Sequence, residues 1–220
     1  MSAPSLWLFD LDGTLVDSAG DLHAAAVALC AEEGVAPPSP AAFRERVSQG
    51  GTAMLSLAFA DADAARIAAL LPRFLALYDA VIGRHGRLFA GFDAVLDSLD
   101  ARRLPWGVVT NKPERLARRV LDELHLSPRC AVLIGGDTLA QRKPDPLPLR
   151  EACARLGFAP DAALYLGDDP RDVQAARAAG MPVLVAGWGY IGAEVDPADW
   201  AADGVLQAPA ELLALIEAER

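Results

Sequence analysis

Two carboxylates, Asp10 and Asp12, stand two positions apart where the apolar run Leu6-Trp7-Leu8-Phe9 ends, and Gly13 and Thr14 follow. If the chain stays extended there, both acids point the same way. Like charges that close need a cation or a shared proton, and an oxygen-only ligand set suits magnesium. Gly13 permits a tight turn, and the Thr14 hydroxyl is placed to fix Asp12. By itself the segment also reads as a solvated Asp-Gly turn. Thr110-Asn111-Lys112 follows a second apolar run. Its hydroxyl and amide can donate to a phosphate oxygen, although Thr or Asn before Pro113-Glu114 is also a capping pattern. The two readings are compatible, because anions sit at helix N-termini.

Lys143 lies in Arg142-Lys143-Pro144-Asp145-Pro146. The 20 basic residues include only two lysines, Lys112 and Lys143, each beside an expected strand end and immediately before a proline. A lysine held in that way is a compact point charge for phosphate. The fourth segment, Gly167-Asp168-Asp169-Pro170-Arg171-Asp172, opens an expected helix with Pro170 in its first turn. Asp168 and Asp172 are spaced to face one way across that turn. Acids there also complement the helix dipole.

These four segments need elements to bring them together. Short apolar runs at Leu6–Phe9, 107–109, 131–134 and 164–166 each end in polar or glycine-rich residues, and a fifth spans 183–185. Helical patterns lie between most of them, such as Phe92, Val95, Leu96 and Leu99. Continuous apolar strands alternating with helices predict an α/β fold, a parallel sheet covered on both faces. Ligands bind beyond the carboxyl ends of such strands, where the four segments fall. Residues 16–85 break the alternation. Their pattern is helical throughout, with Ile67, Leu70, Leu71, Phe74 and Tyr78 on one face. They are expected to form a small all-helical insert after the first strand. Residues 1–15 and 86–220 would then make the core, with hinges at 15–18 and 83–91.

Composition narrows the partners. The 220 residues are 53% hydrophobic and 23% charged, which is globular rather than disordered. A formal charge of −10 repels nucleic acid backbones. A metal and a lysine can still invert the field inside a cleft, so a small anionic metabolite remains the expected partner. No run of 18 or more apolar residues predicts a membrane span. The first residues, Met1-Ser2-Ala3-Pro4-Ser5, carry no basic region of a signal peptide. Cys30, Cys130 and Cys153 are odd in number and widely spaced. They read as reduced thiols, which with the missing signal suggests the cytoplasm.

Together the four segments resemble the motifs of the haloacid dehalogenase superfamily: Asp10-Leu11-Asp12-Gly13-Thr14, Thr110, Lys143-Pro144 and Gly167-Asp168-Asp169. The resemblance implies a Rossmann-like parallel core whose helical insert is a mobile cap. It implies that Asp10 attacks phosphorus and that Asp12 serves as acid and then base, while Thr110 and Lys143 hold the phosphoryl oxygens. Asp10, Asp12 through its main-chain carbonyl, and Asp168 would bind Mg2+, supported by Asp169 and Asp172. Thr14 and Asn111 join the expected phosphate contacts. The cap loop 48–52 is the expected selector, with Ser48 and the approachable backbone of Gly50 and Gly51.

The same resemblance trims the chemistry. Carbon–halogen hydrolysis lacks the second aspartate that Asp12 supplies. Phosphonate cleavage needs a cap lysine, and residues 16–85 contain none. Ion pumping needs membrane helices. A phosphomonoesterase is expected, as a monomer or homodimer, with a sugar phosphomutase or a non-catalytic phospho-ligand sensor as alternatives. The general style is similar to phosphoglycolate phosphatases. The wording at 47–54, 106–113, 189–191 and 196–200 is more similar to N-acetylmuramic acid 6-phosphate phosphatases of peptidoglycan recycling, and that substrate is favoured.

Overall fold

A computed structural model describes residues 3–218. Met1, Ser2, Glu219 and Arg220, assigned above to the core, lie outside the described residues. In chain order the elements are β1 (Leu6–Phe9), β2 (Val16–Asp17), α1 (Ala19–Glu33), α2 (Pro40–Arg44), α3 (Gly51–Ala58), α4 (Ala64–Asp79), β3 (Arg87–Leu88), α5 (Phe92–Ala101), β4 (Trp106–Val109), α6 (Glu114–Glu123), β5 (Val132–Ile134), α7 (Leu147–Leu156), β6 (Ala163–Gly167), α8 (Pro170–Ala179), β7 (Val183–Ala186), β8 (Gly204–Leu206) and α9 (Pro209–Ala218). Six strands form one sheet in the order β5-β4-β1-β6-β7-β8, and every pairing is parallel.

β1 lies inside the sheet, with Trp7 opposite Trp106 on one side and Leu164 on the other. Its apolar run is continuous because both faces are buried. Trp7 and Phe9 enter one hydrophobic core, and Leu6 and Leu8 enter the other. All five expected runs are strands, to within a residue or two at their ends. No described helix is long and apolar enough to cross a membrane.

Four helices, α1 to α4, occupy the insert. Ser39 and Asp63 cap α2 and α4, accepting from the Ala42 and Arg66 amides at 3.3 and 2.8 Å. α4 buries Ile67, Leu70, Phe74 and Tyr78, the face its spacing predicts. The helical reading fails at the insert's first two residues. Val16 and Asp17 form β2, which pairs antiparallel with β3, so Val16 faces Leu88 and Asp17 faces Arg87. Two residues are too few to show a period, and their partners lie far along the chain. The connections expected to be hinges are therefore joined as a ribbon. Asp21 braces it: the buried carboxylate accepts from the amides of Gly83, His85 and Gly86 at 2.9, 2.7 and 3.1 Å.

Candidate active site

The adjacent strands β4, β1 and β6 end at Val109, Phe9 and Gly167, so the next residues, Thr110, Asp10 and Asp168, emerge side by side. This is the ligand-binding edge of an open parallel sheet. α8 begins just beyond and returns Asp172 to the same place. One carboxylate oxygen from each of Asp10, Asp168 and Asp172 lies within 4.8 Å of the others, and all three residues are buried.

Lys143 closes this group from beneath. Its Nζ lies 3.1 Å from Asp10 Oδ1 and donates to Asp172 Oδ1 at 2.6 Å, to the Tyr165 hydroxyl at 2.7 Å and to the Val109 carbonyl at 3.0 Å. Burial alone would push the ammonium's pKa down. Asp10 and Asp172 outweigh that and hold it above the ordinary lysine value. Lys143 is thus an internal counter-ion rather than a free charge facing a ligand. Asp10 Oδ1 also accepts the Leu11 amide at 2.8 Å. Among the described residues its other oxygen takes no hydrogen bond, and Asp10 lines a cavity.

Asp168 is the most burdened acid. Burial first, and then the charges of Asp10 and Asp172, push its pKa up to about 8, against the hydrogen bonds it accepts. Thr14 Oγ1 donates to its Oδ1 at 2.9 Å, and Ser48 Oγ and the Tyr190 amide donate to its Oδ2 at 2.7 and 2.9 Å. Gly13, at φ +85°, admits no side chain, since a Cβ there would sit 2.2 Å from Asp168 Oδ2. Three buried carboxylates stand together with one ammonium, which pairs with only two of them, Asp10 and Asp172, and all the ligand atoms on offer are hard oxygens. The residues therefore fit a divalent cation of the oxygen-seeking kind.

Asp12 stands apart from this group. Lys112 Nζ donates to both its oxygens, at 3.0 and 2.9 Å, and Ser18 Oγ donates to Oδ1 at 2.5 Å. The Lys112 ammonium lies 4.3 Å from the centre of the Tyr78 ring, on α4. Its pKa is lowered by burial but raised further by Asp12 and Tyr78, so it stays charged.

Asp10, Asp12, Thr110, Asn111 and Lys112 share a cavity of ≈ 470 Å³ with Ser48, Gly50, Gly51, Phe74 and Tyr78 from the insert. The structure thus brings the first two motifs and the cap loop to one space. Several expected roles change. Thr14 is fully buried and holds Asp168 rather than Asp12 or a ligand, because the Gly13 turn aims it at the end of β6. Asn111 lines the cavity, but its Nδ2 donates to the Lys143 carbonyl at 2.9 Å and so latches that loop. The Gly50 amide donates to the Val47 carbonyl at 3.0 Å and is not free for a ligand. Gly51 packs against α4 within the insert, since a Cβ there would lie 2.6 Å from Leu71 Cδ1 and displace that side chain. Asp169 caps α8 and pairs with Arg171 at 2.7 Å; it supports the site only through Asp172, which accepts its amide at 3.1 Å.

Sequence reasoning noted Lys112 for its rarity but gave it no partner. It missed Tyr78, read only as a core position on α4, and Tyr190, whose hydroxyl accepts the Ser18 and Ala19 amides and donates to Asp17. It also missed Arg171, which donates to the Ser48 carbonyl across the insert boundary. None of these contacts leaves a local signal, because each joins distant segments.

Comparison with known proteins adds four findings. Residues 7–186 match the family described as haloacid dehalogenase-like hydrolase. The chain is 50% identical over 212 residues to a phosphoglycolate phosphatase of Xanthomonas campestris pv. campestris, covering 96% of each. It is 40% identical over 211 residues to an N-acetylmuramic acid 6-phosphate phosphatase of Pseudomonas putida, covering 96% of this chain and 95% of that one. Among solved structures, a predicted phosphoglycolate phosphatase from Haemophilus somnus superposes with a TM-score of 0.87 at 25% identity, over 98% of this chain and 99% of that one.

Proposed function

The chain belongs to the haloacid dehalogenase-like hydrolases and is a phosphatase of that family, and from that premise we propose that it hydrolyses a small phosphate monoester through an aspartyl-phosphate on Asp10. The observation that carries this reading is the state of Asp10. One oxygen is fixed by the Leu11 amide and Lys143, the other takes no hydrogen bond among the described residues, and the residue lines the cavity. That oxygen attacks phosphorus as the bond to the leaving oxygen breaks, and Asp12 delivers a proton to the departing alcohol. Asp12 then takes a proton from water, which attacks the same phosphorus and frees Asp10 and inorganic phosphate. Two easier displacements replace one difficult one, and a single acid serves both because the proton is returned. Thr110 offers its hydroxyl to a phosphoryl oxygen, and Lys143 holds Asp10 in place from 3.1 Å.

Mg2+ is the proposed cofactor, held by Asp10, Asp168 and the Asp12 main-chain carbonyl with Asp172 beside them; it would neutralise charge developing on the phosphoryl oxygens. Residues 16–85 act as a cap on a core of 1–15 and 86–220, and Ser48 touches Asp168 when the cap is shut. Closure excludes water from the first transfer. A cytoplasmic location belongs to this reading, in keeping with the free thiols of Cys30, Cys130 and Cys153.

For the substrate we favour an amino-sugar phosphate of the N-acetylmuramic acid 6-phosphate kind. A cavity of ≈ 470 Å³ with Met54, Leu71, Phe74 and Leu75 on its walls suits a ligand of drug-like size better than a two-carbon acid. The second reading is 2-phosphoglycolate, favoured by the relatives of 50% identity. Comparing kcat/KM on the two esters decides between them, and a clear preference for phosphoglycolate replaces the first reading with the second. Turnover of p-nitrophenyl phosphate that depends on added magnesium tests the enzyme itself. Its absence in folded protein would remove the whole proposal.

A further inference from the structure

We propose that Lys112 is the specificity residue of this site: its ammonium selects phosphate esters carrying a carboxylate, which it binds in exchange for Asp12. The inference rests on the phosphatase reading above and deepens it. Lys112 holds both oxygens of Asp12, at 3.0 and 2.9 Å, and Ser18 holds one of them as well. An acid with both oxygens taken in this way has neither free for the leaving oxygen it must protonate. Something has to release it, and the ligand is the one component that arrives with each turnover.

The surroundings of Lys112 favour an anion. Its side chain is 6% exposed and lies under the Tyr78 ring, so its dehydration has already occurred on folding. A carboxylate entering a half-apolar cavity loses its own water and needs a cation already in place. Replacing the Asp12 carboxylate by the ligand's keeps the charge pairing at Lys112 constant. Two arginines also line the cavity. Arg171 is committed to both oxygens of Asp169 and to the Ser48 carbonyl. Arg142 is exposed, and hydrated surface charges attract weakly. That leaves Lys112 as the desolvated cation of the wall, facing the same space as Asp10.

N-acetylmuramic acid 6-phosphate and N-acetylglucosamine 6-phosphate provide a matched pair, since only the first carries a carboxylate, on its lactyl ether. The expected wild-type ratio of kcat/KM favours the first by about tenfold or more, one well-placed charged contact. Lys112→Met should bring that ratio close to one, and Lys112→Arg should restore part of it. Arg142→Met serves as the rival variant. A ratio that survives in Lys112→Met, or that collapses in Arg142→Met instead, overturns the inference. Circular dichroism confirms that the variants fold. Should Lys112→Met not fold, the wild-type ratio together with the Lys112→Arg ratio decides, and a wild-type enzyme indifferent to the carboxylate contradicts the proposal. Magnesium-dependent turnover of p-nitrophenyl phosphate is followed in parallel. Its loss in the wild type would remove the phosphatase reading, whereas turnover without carboxylate preference removes only this one.

Discussion

The two walls of the cavity are built on opposite plans. On the sheet side, Asp10, Asp168, Asp172 and Lys143 are buried and tied to one another, to Tyr165 and to backbone atoms. On the insert side, Met54, Leu71, Phe74 and Leu75 present carbon, and polar contact across the gap comes from single groups, Ser48 reaching Asp168 and the Tyr78 ring covering Lys112. The first plan fixes positions to within a hydrogen bond. The second offers shape, and it touches the chemistry at points that can break one at a time. On the reading proposed above, the strand ends set what reaction occurs, and the helices packed over them, together with Lys112 just beyond β4, set which molecule undergoes it.

That contrast can be broken at its strongest point first. Lys143→Met leaves Asp10 and Asp172 buried without their cation. It should cost about 3–5 kcal/mol of unfolding free energy in a urea titration, as removing one partner of a buried pair does. A variant as stable as the wild type would mean that the sheet wall is not interlocked. Magnesium addition comes next. At a concentration ~100 times its Kd it should stabilise the folded chain by about 2.7 kcal/mol, seen as a raised melting temperature. Asp168→Asn should lose most of that rise, and an unchanged rise would move the cation elsewhere.

The insert wall should respond more mildly. Ser48→Ala removes one hydrogen bond to a carboxylate, and we expect kcat/KM to fall about tenfold, while stability changes by no more than ~1 kcal/mol. A large loss of stability with unchanged kcat/KM would make Ser48 a structural residue rather than a latch. The smallest effect is expected from Tyr78→Phe. The Tyr78 hydroxyl is buried with no hydrogen-bond partner among the described residues, and burial pushes its pKa up to about 12. Removing it should leave stability within about 1 kcal/mol of the wild type or slightly above it, since no bond is lost and the ring remains over Lys112. A destabilisation well beyond that would assign the hydroxyl a partner.

The same contrast explains what could be read from the sequence. The run Leu6–Phe9 was legible because both faces of β1 are buried, so every position is apolar. α4 was legible because its buried face repeats at helical spacing. Asp10, Asp12, Lys143 and Asp168 were legible because each sits at a strand end in a distinctive setting. β2 and β3 were not, being two residues long and held by pairing, nor was β8, which begins with a glycine and is only partly buried. Contacts between distant segments were the hardest to foresee. Nearness in sequence points Thr14 at Asp12, whereas it holds Asp168, 154 positions away. Lys112 grips Asp12 across 100 positions. A side chain's partner is chosen by the fold, and the spacing of nearby residues carries little information about it.

The central claim is that Asp10 becomes phosphorylated. Acid quenching of the enzyme during turnover, followed by peptide mass spectrometry, tests it most directly. A phosphoryl adduct is expected on the peptide carrying Asp10, removed by hydroxylamine and absent from Asp10→Asn, which should itself fold and not turn over. An active Asp10→Asn variant, or an adduct on any other residue, would contradict it.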